Sequence, residues 1–371
     1  MALYVGLISG TSMDGIDAAL VDIDAARTAV LATRVGEYPQ ALRTELAELV
    51  ADSAHTSLDV VGSLDSQIGE VFAAAALDLL HAAGTKVDAV RAIGSHGQTV
   101  RHRPEARPSF SMQLGDPNRI AEITGITTVA DFRRRDLAAG GEGAPLVPVF
   151  HNLVLRSANE DRAVANIGGI ANLTLLLGDE PVRGFDTGPG NCLMDLWVER
   201  HRRATYDAGG AWAASGRVIE PLLQSMLADP YFDRPLPKST GREHFNIDWI
   251  EAQLTRHGES PAPADVQATL CELTARSIAH ALTRFAPRCR QLFVCGGGVH
   301  NEDLMRRLRA LVGALPVTST AAAGIDPNFV VATAFAWLAY RAVNELSGND
   351  IAVTGARHPV ILGGIYAGRT G

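Results

Sequence analysis

The 371-residue sequence predicts an α/β protein of two similarly built domains with a cleft between them. Three observations carry that expectation. Residues 3–24, LYVGLISGTSMDGIDAALVDID, form two apolar, strand-like runs around a glycine-flanked polar turn. Residues 163–177, AVANIGGIANLTLLL, repeat the device. Each half then continues through a third strand to a later one ending in a glycine-rich turn, AVRAIGSHGQT at 89–99 and QLFVCGGGVHN at 291–301. Two copies of one β-β-β-α-β plan imply two similar domains, and an internal repeat outranks local propensity as a guide to architecture.

Length and composition agree with that plan. The chain is long enough for two domains with a large core. Its 47% apolar and 20% charged residues are an ordinary balance for a soluble enzyme. A net charge of −8 argues against a nucleic-acid-coating protein, whose phosphate contacts need a basic face. The four cysteines, Cys192, Cys271, Cys289 and Cys295, lack CxxC spacing and read as reduced, buried thiols. The N-terminus enters a strand without a signal-type segment, and no apolar run approaches the ~20 residues that span a bilayer. A cytoplasmic protein without membrane contact is expected.

In chain order, Leu3–Ser9 and Ile16–Ile23 are strands around the turn Gly10-Thr11-Ser12-Met13-Asp14-Gly15. Gly10 and Gly15 remove the Cβ atoms that would keep a phosphate from the turn's N–H groups and hydroxyls. There is no GxxxxGK[ST] loop, and such a turn taken alone is more often an ordinary hairpin. Val30–Val35 makes the third strand, and helices follow at Pro39–Ala51 and Leu58–Ala83, closed by Gly84. Strand Val90–Gly94 delivers Ser95, His96 and Gln98, candidates for sugar hydroxyls because ligands collect beyond strand ends in open sheets. A polar loop explains them equally well. Residues 100–126 read as loop-rich, with breakers at Pro104, Pro108 and Pro117. After strand Thr127–Ala130 come Arg133, Arg134 and Arg135 and a flexible Gly140-Gly141-Glu142-Gly143. An arginine run is usually a solvated face, but one of these could bind an anion.

A helix over Pro145–Ser157 bridges to the second hairpin, whose turn carries Asn166, Gly168 and Gly169. Strand Val182–Phe185 then ends in Asp186, within GFDTGPGN, ahead of a helix capped by Asn191. A carboxylate there can act as general base, with an Asx-turn as the structural alternative. Residues 204–260 show few periodic elements, read as an insertion over the cleft, and receive no chemistry. Ala264–Phe285 is a long helix. Strand Gln291–Cys295 leads to Gly296, Gly297 and Gly298, where a flat ring could lie on the backbone, and Asn301 caps the next helix. An alanine-rich helix over Pro327–Glu345 and a strand over Val360–Tyr366 finish the chain.

The two halves resemble the superfamily of actin, hexokinase and the heat-shock chaperone ATPases, with its paired RNase H-like domains. The segments GLISGTSMDGIDAAL, GSHGQT, ADFRRRDLAAGGEGAPLVP, NIGGIANLT, GFDTGPGN, KSTGREHFN, CGGGVHN and VTGARHPVILGGIY look, in order, like anhydro-N-acetylmuramic acid kinases. That resemblance implies ATP- and Mg²⁺-dependent opening of the sugar's 1,6-anhydro ring, with phosphorylation at O6, in cell-wall recycling. It implies residues 1–143 plus 349–371 as one domain and 144–348 as the other. It gives Asp186 the role of base, and Gly10, Thr11, Ser12, Asp14, Gly15, Asn166, Gly168 and Gly169 the phosphates, with Asp14 on the metal. Gly296–Gly298 and Asn301 would face the nucleoside. Ser95, His96, Gln98, Asp131, Arg133, Thr187 and Gly188 would face the sugar acid, with Arg133 on its lactyl carboxylate. A homodimer is implied as well. One departure is Val331, where the family pattern places a glutamate. Two other readings stay open: a different sugar or carboxylate kinase, and a nucleotide-binding sensor whose catalysis has decayed.

Overall fold

The structure, a computed structural model, describes residues 2–10, 13, 15–25, 27–51, 56–258 and 260–369. The chain divides into two compact units, Met1–Phe150 with Phe329–Gly371, and His151–Asn328.

The first unit opens with β1 (Ala2–Ser9), β2 (Ile16–Ile23) and β3 (Thr28–Gly36), an antiparallel meander pairing Ala2 with Ile23 and Ile16 with Gly36. Helices α1 (Gln40–Ala51) and α2 (Leu58–Ala82) follow. Ser57 caps α2 by accepting the Val60 N–H at 3.3 Å, and Gly84 follows its end at a left-handed φ of 63°. By length and hydropathy α2 could cross a bilayer, contrary to the sequence expectation. It is instead a core helix, laying Leu64, Ile68, Phe72, Ala76 and Leu79 against the meander while Asp59 and Glu70 face outward. Next come β4 (Val90–Arg103), β5 (Phe110–Leu114), α3 (Pro117–Thr124), β6 (Thr128–Ala130) and α4 (Phe132–Ala138). Residues 100–126 are therefore less loop-rich than expected, with 104–109 as the main irregular stretch. Strand β4 runs on for 14 residues and turns back into β5, because its polar residues find partners across the sheet rather than in water.

The chain passes between units within α5 (Pro148–Leu155). The second unit holds β7 (Arg162–Ile167), β8 (Ile170–Leu176), β9 (Arg183–Pro189) and α6 (Cys192–Arg202). The segment from 204 to 260 is helical rather than irregular, with α7 (Ala211–Ser215), α8 (Glu220–Leu227), α9 (Pro230–Asp233) and α10 (Ile247–His257). Its helices begin at proline or at capping residues such as Asp229 and Asn246, and four to eleven residues each is too short for periodicity to stand out. The unit ends with α11 (Pro263–Phe285), β10 (Gln291–Cys295), α12 (Glu302–Val312) and β11 (Val317–Ser319). Its five strands lie in the order β11-β10-β7-β8-β9, and its core joins Leu173, Phe185, Leu193, Leu270 and Val294. Between α11 and α12, buried Arg307 bridges Asp303 at 2.7 Å and Glu272 at 2.9 Å.

The chain then returns to the first unit with α13 (Val330–Val343), α14 (Ile351–Thr354) and β12 (Gly364–Tyr366). The first sheet runs β12-β6-β4-β1-β2-β3, with β5 on β4. Helix α13, expected with residues 144–348, packs on this first sheet. A Cβ at Gly6 would stand 1.8 Å from the Ala332 carbonyl oxygen, and one at Gly94 2.0 Å from that of Phe335. Helix backbone thus rests directly on strand backbone, which only glycine allows.

Candidate active site

In the first unit, Ser95, His96 and Gln98 lie inside β4 at 1%, 6% and 1% exposure, not in a turn beyond its end. His96 Nδ1 stands 2.9 Å from the Gly97 carbonyl oxygen, and Arg133 Nε donates to His96 Nε2 at 3.0 Å. A guanidinium only donates, so Nε2 accepts and the proton sits on Nδ1. Burial first, and the Arg133 charge second, hold His96 well below its usual pKa, so the ring is neutral. Both of its nitrogens are engaged. His96 therefore orients Arg133, and the Phe335 ring supports it at 4.6 Å. Ser95 Oγ has no hydrogen-bond partner among the described residues.

Arg133 also donates to the Gly143 carbonyl at 2.8 Å, whereas Arg134 and Arg135 are exposed. The run thus separates into one half-buried guanidinium and a solvated pair. Asp131, at φ 60°, makes the left-handed turn into α4 and accepts from the Tyr366 hydroxyl at 3.2 Å. Such a conformation costs a non-glycine residue about 1–2 kcal/mol, a strain that clusters at functional sites. Fully buried Asp136 accepts from Asn349, Thr354 and the Gly143 N–H at 2.9, 2.8 and 2.8 Å. The Gly140–Gly143 segment is consequently anchored rather than flexible. Its Gly141 is demanded by packing, because a Cβ would meet Asp136 Oδ2 at 2.2 Å. Gln98 Nε2 donates to the Gly10 carbonyl at 3.2 Å, tying the first hairpin to β4. Gly15 serves the meander, where a Cβ would meet the Gly36 carbonyl at 2.9 Å. Thr11, Ser12 and Asp14 lie outside the described residues.

In the second unit the β7–β8 turn is docked onto the start of α6. The Gly168 carbonyl accepts from Asn191 N–H at 2.8 Å, and the Gly169 carbonyl from Gly190 and Cys192 at 2.9 and 3.1 Å. Asn191 does not cap α6 through its side chain but donates to the Ile167 carbonyl at 3.2 Å. Gly296 and Gly298 pack on the same hairpin, where Cβ atoms would meet Asn166 Oδ1 at 2.6 Å and Ile167 Cγ2 at 2.3 Å. Asn301, 9% exposed, caps α12 by accepting the Leu304 N–H at 2.9 Å. Much of this glycine and asparagine pattern is thus spent on the protein's own packing. Gly168 and Gly297 differ, since an added Cβ would meet nothing nearer than 3.6 and 3.8 Å. Those two positions fit a phosphate or a nucleoside approaching the backbone.

Asp186 sits within β9, not at its end. Ala171 pairs with Gly188 and Asn172 with Asp186, so Thr187 is a bulge residue, 2% exposed, with its hydroxyl donating to the Ala171 carbonyl at 3.2 Å. A bulge re-aims the neighbouring side chain. Three groups then hold half-buried Asp186, all from the segment without a sequence assignment. The Thr240 N–H donates to Oδ2 at 3.0 Å, the Tyr231 hydroxyl to the Asp186 carbonyl at 2.8 Å, and the Asp186 N–H to the Lys238 carbonyl at 3.1 Å. The polar cluster KSTGREHFN was the visible signal for this loop, but nothing in its spacing says which strand it grips. Arg242, two residues on, has a buried Nε without a partner among the described residues.

No group of three histidines, cysteines or carboxylates that could hold a metal occurs among the described residues. Mg²⁺ takes one or two carboxylates and otherwise water and phosphate oxygens. Such a site needs no dedicated protein cage, and Asp14, the carboxylate expected on the metal, lies outside the described residues. All four cysteines are free thiols, and burial pushes Cys192 and Cys295 up to about 12, which makes them inert.

Residues 2–368 match the family model described as anhydro-N-acetylmuramic acid kinase. Proteins of that name from Xylella fastidiosa and Xanthomonas axonopodis pv. citri are 52% and 54% identical, over 98% of this chain and 96% and 98% of their own. One from Coxiella burnetii is 49% identical over 98% and 97%. Among solved structures, the activator of the 2-hydroxyisocaproyl-CoA dehydratase from Clostridium difficile with bound ADPNP matches at TM-score 0.47 and 10% identity, over 92% of this chain and 96% of its own. A ROK family glucokinase from Streptomyces griseus in complex with glucose and AMPPNP matches at 0.37 and 17%, over 91% and 99%.

Proposed function

The chain belongs to the anhydro-N-acetylmuramic acid kinase family, and from that premise we propose that it cleaves the 1,6-anhydro bond of anhydro-N-acetylmuramic acid with water and phosphorylates O6 from ATP. The observation that carries this reading is Asp186, a partly exposed residue on a bulged strand beside an open glycine hairpin, whose carboxylate accepts from the Thr240 N–H and whose backbone is held by Tyr231 and Lys238. Water is a poor nucleophile at neutral pH, so a base must take its proton as the bond to C1 forms. Asp186 takes that proton. The C1–O6 bond breaks, O6 attacks the γ-phosphorus, and ADP leaves. The products are N-acetylmuramic acid 6-phosphate, ADP and one proton.

Gly168 and Gly169, with Gly10, Thr11 and Ser12, are assigned to the phosphates, and Gly297 to the nucleoside. Arg133, aimed by His96 and Gly143, is assigned to the lactyl carboxylate. When bound, Mg²⁺ neutralises phosphate charge, with Asp14 its candidate ligand; rate then rests on positioning and charge stabilisation. The two units are read as RNase H-like repeats enclosing a cleft, each contributing one hairpin, in a cytoplasmic homodimer. Val331, half-buried in the first turn of α13, keeps a second reading in play, a nucleotide-binding protein without turnover.

Mass spectrometry after reaction in heavy-oxygen water separates the two. Turnover with label at C1 of the sugar and none in the phosphate supports the kinase, and absence of ATP consumption overturns it. Asp186→Asn keeps an oxygen for the Thr240 N–H but loses basicity, so kcat is expected to fall by about 10²–10⁴-fold. Substantial activity in that variant would overturn the base assignment.

A further inference from the structure

We propose that Lys238 is a positioning residue that locks the 231–240 loop onto β9 and so fixes Asp186, a role resting on the reading of Asp186 as base. Lys238 is 5% exposed. Its Nζ donates to the carbonyls of Phe232 at 3.0 Å and Tyr231 at 3.3 Å, and stands 4.7 Å from the Tyr231 ring centroid. It forms no ion pair among the described residues. A buried ammonium satisfied only by carbonyls is a costly way to fill space.

The bonds it makes close a ring in the chain. Tyr231 and Phe232 are drawn back onto Lys238, and the same short segment presents the Tyr231 hydroxyl, the Lys238 carbonyl and the Thr240 N–H to Asp186. Without the ammonium, the two carbonyls repel one another and the three contacts on Asp186 lose their common anchor. A shift of an ångström at a reacting group can cost about 10²-fold in rate.

The charges around Lys238 are Arg284 on α11, Arg234 and Asp233 at the end of α9, and Asp186 on β9. Arg276 and His280 line the same cavity of about 300 Å³. Burial foremost, then Arg284, lowers Lys238 to about 8, so its charge is present below that pH and lost above it. A neutral amine still reaches both carbonyls, but without charge assistance. The adjoining cavity has room for a guanidinium, which stays charged across the range.

The test compares Lys238→Met, Lys238→Arg and Tyr231→Phe, each alone and with Asp186→Asn, in kcat, KM and pH profile from about pH 6 to 9. Lys238→Met is expected to lose about 10²-fold in kcat, with both KM values little changed and no further loss in the Asp186→Asn background. Lys238→Arg is expected to recover most of kcat and move the alkaline limb above that of the unaltered enzyme. Near-normal kcat in Lys238→Met, losses that multiply with Asp186→Asn, or an unmoved alkaline limb in Lys238→Arg would each overturn the proposal. If Lys238→Met does not fold, Tyr231→Phe decides, because it deletes only the hydroxyl on Asp186, and an unchanged kcat there is a refutation. Activity surviving Asp186→Asn alone would instead remove the base assignment, a separate result from any of these.

Discussion

Replacing Arg133 with alanine should produce two losses that can be separated. Its Nε is the donor for His96 Nε2, in a side chain only 6% exposed, and its NH1 is a donor to the Gly143 carbonyl. The ring cannot switch tautomers to compensate, since Nδ1 must keep its proton for the Gly97 carbonyl at 2.9 Å. A buried acceptor left without a donor costs about 1–3 kcal/mol, so the variant should be less stable by that amount. On the proposed assignment of Arg133 to the sugar carboxylate, its loss should weaken sugar-acid binding by about 1.5–3 kcal/mol, roughly 10- to 100-fold in Kd. ATP affinity should barely change. Adding His96→Phe to Arg133→Ala removes the orphaned nitrogen and keeps an aromatic ring against Phe335, at the loss of the donor to the Gly97 carbonyl, so stability should recover in part while sugar affinity does not. Urea unfolding and calorimetric titration with each ligand separate the two effects. Should ATP binding fall as far as sugar binding, or sugar affinity return with His96→Phe, Arg133 does not recognise the carboxylate.

Arg307→Ala removes the cation shared by Asp303 and Glu272, each of which keeps one other arginine, Arg306 at 3.1 Å and Arg276 at 2.9 Å, and should destabilise the protein by about 1.5–3 kcal/mol in chemical denaturation; a change below about 0.5 kcal/mol would mean that those two arginines satisfy the carboxylates alone. Acid should destabilise the fold through His151, which is fully buried and lowered by burial from 6.5 to about 3. The unfolded chain takes up the proton first, so this contribution is complete above pH 6.5 and declines as pH falls toward 3, by about 2.7 kcal/mol at a pH two units below 6.5. An equal urea midpoint at neutral pH and at that lower pH would show that the folded state accepts the proton.

Both hairpins were legible because their strands are apolar and their turns carry glycine, signals that need no distant partner. Strand β4 was legible only to Gly94. Beyond it, Ser95, His96, Gln98 and Arg101 look like loop, and partners distant in the chain, among them the Gly10 carbonyl for Gln98, Arg133 for His96 and the Leu49 carbonyl for Arg101, make polar residues acceptable in a sheet interior. Asp186 stands out in GFDTGPGN, yet the groups that hold it come from 45 and 54 residues further along the chain. Helix α13 was visible as an alanine-rich run, but which sheet it covers depends on two glycines in the first hundred residues. The glycines at 296 and 298 attract a ligand reading by type alone; their neighbours Asn166 and Ile167 reveal them as packing positions.

The seat of α13 on Gly6 and Gly94 also sets an order of events during synthesis. Strands β1 and β4 leave the ribosome early, whereas the helix that covers them is made only after the whole of His151–Asn328. At about 5–20 residues per second the wait lasts on the order of tens of seconds. Through that interval a strip of strand backbone built to touch a helix has no cover, while the second unit, continuous in the chain, has everything it requires. The nascent first unit thus waits uncovered while the second is made, and α13 and β12, which follow His151–Asn328, complete the sheet that holds β1 and β4.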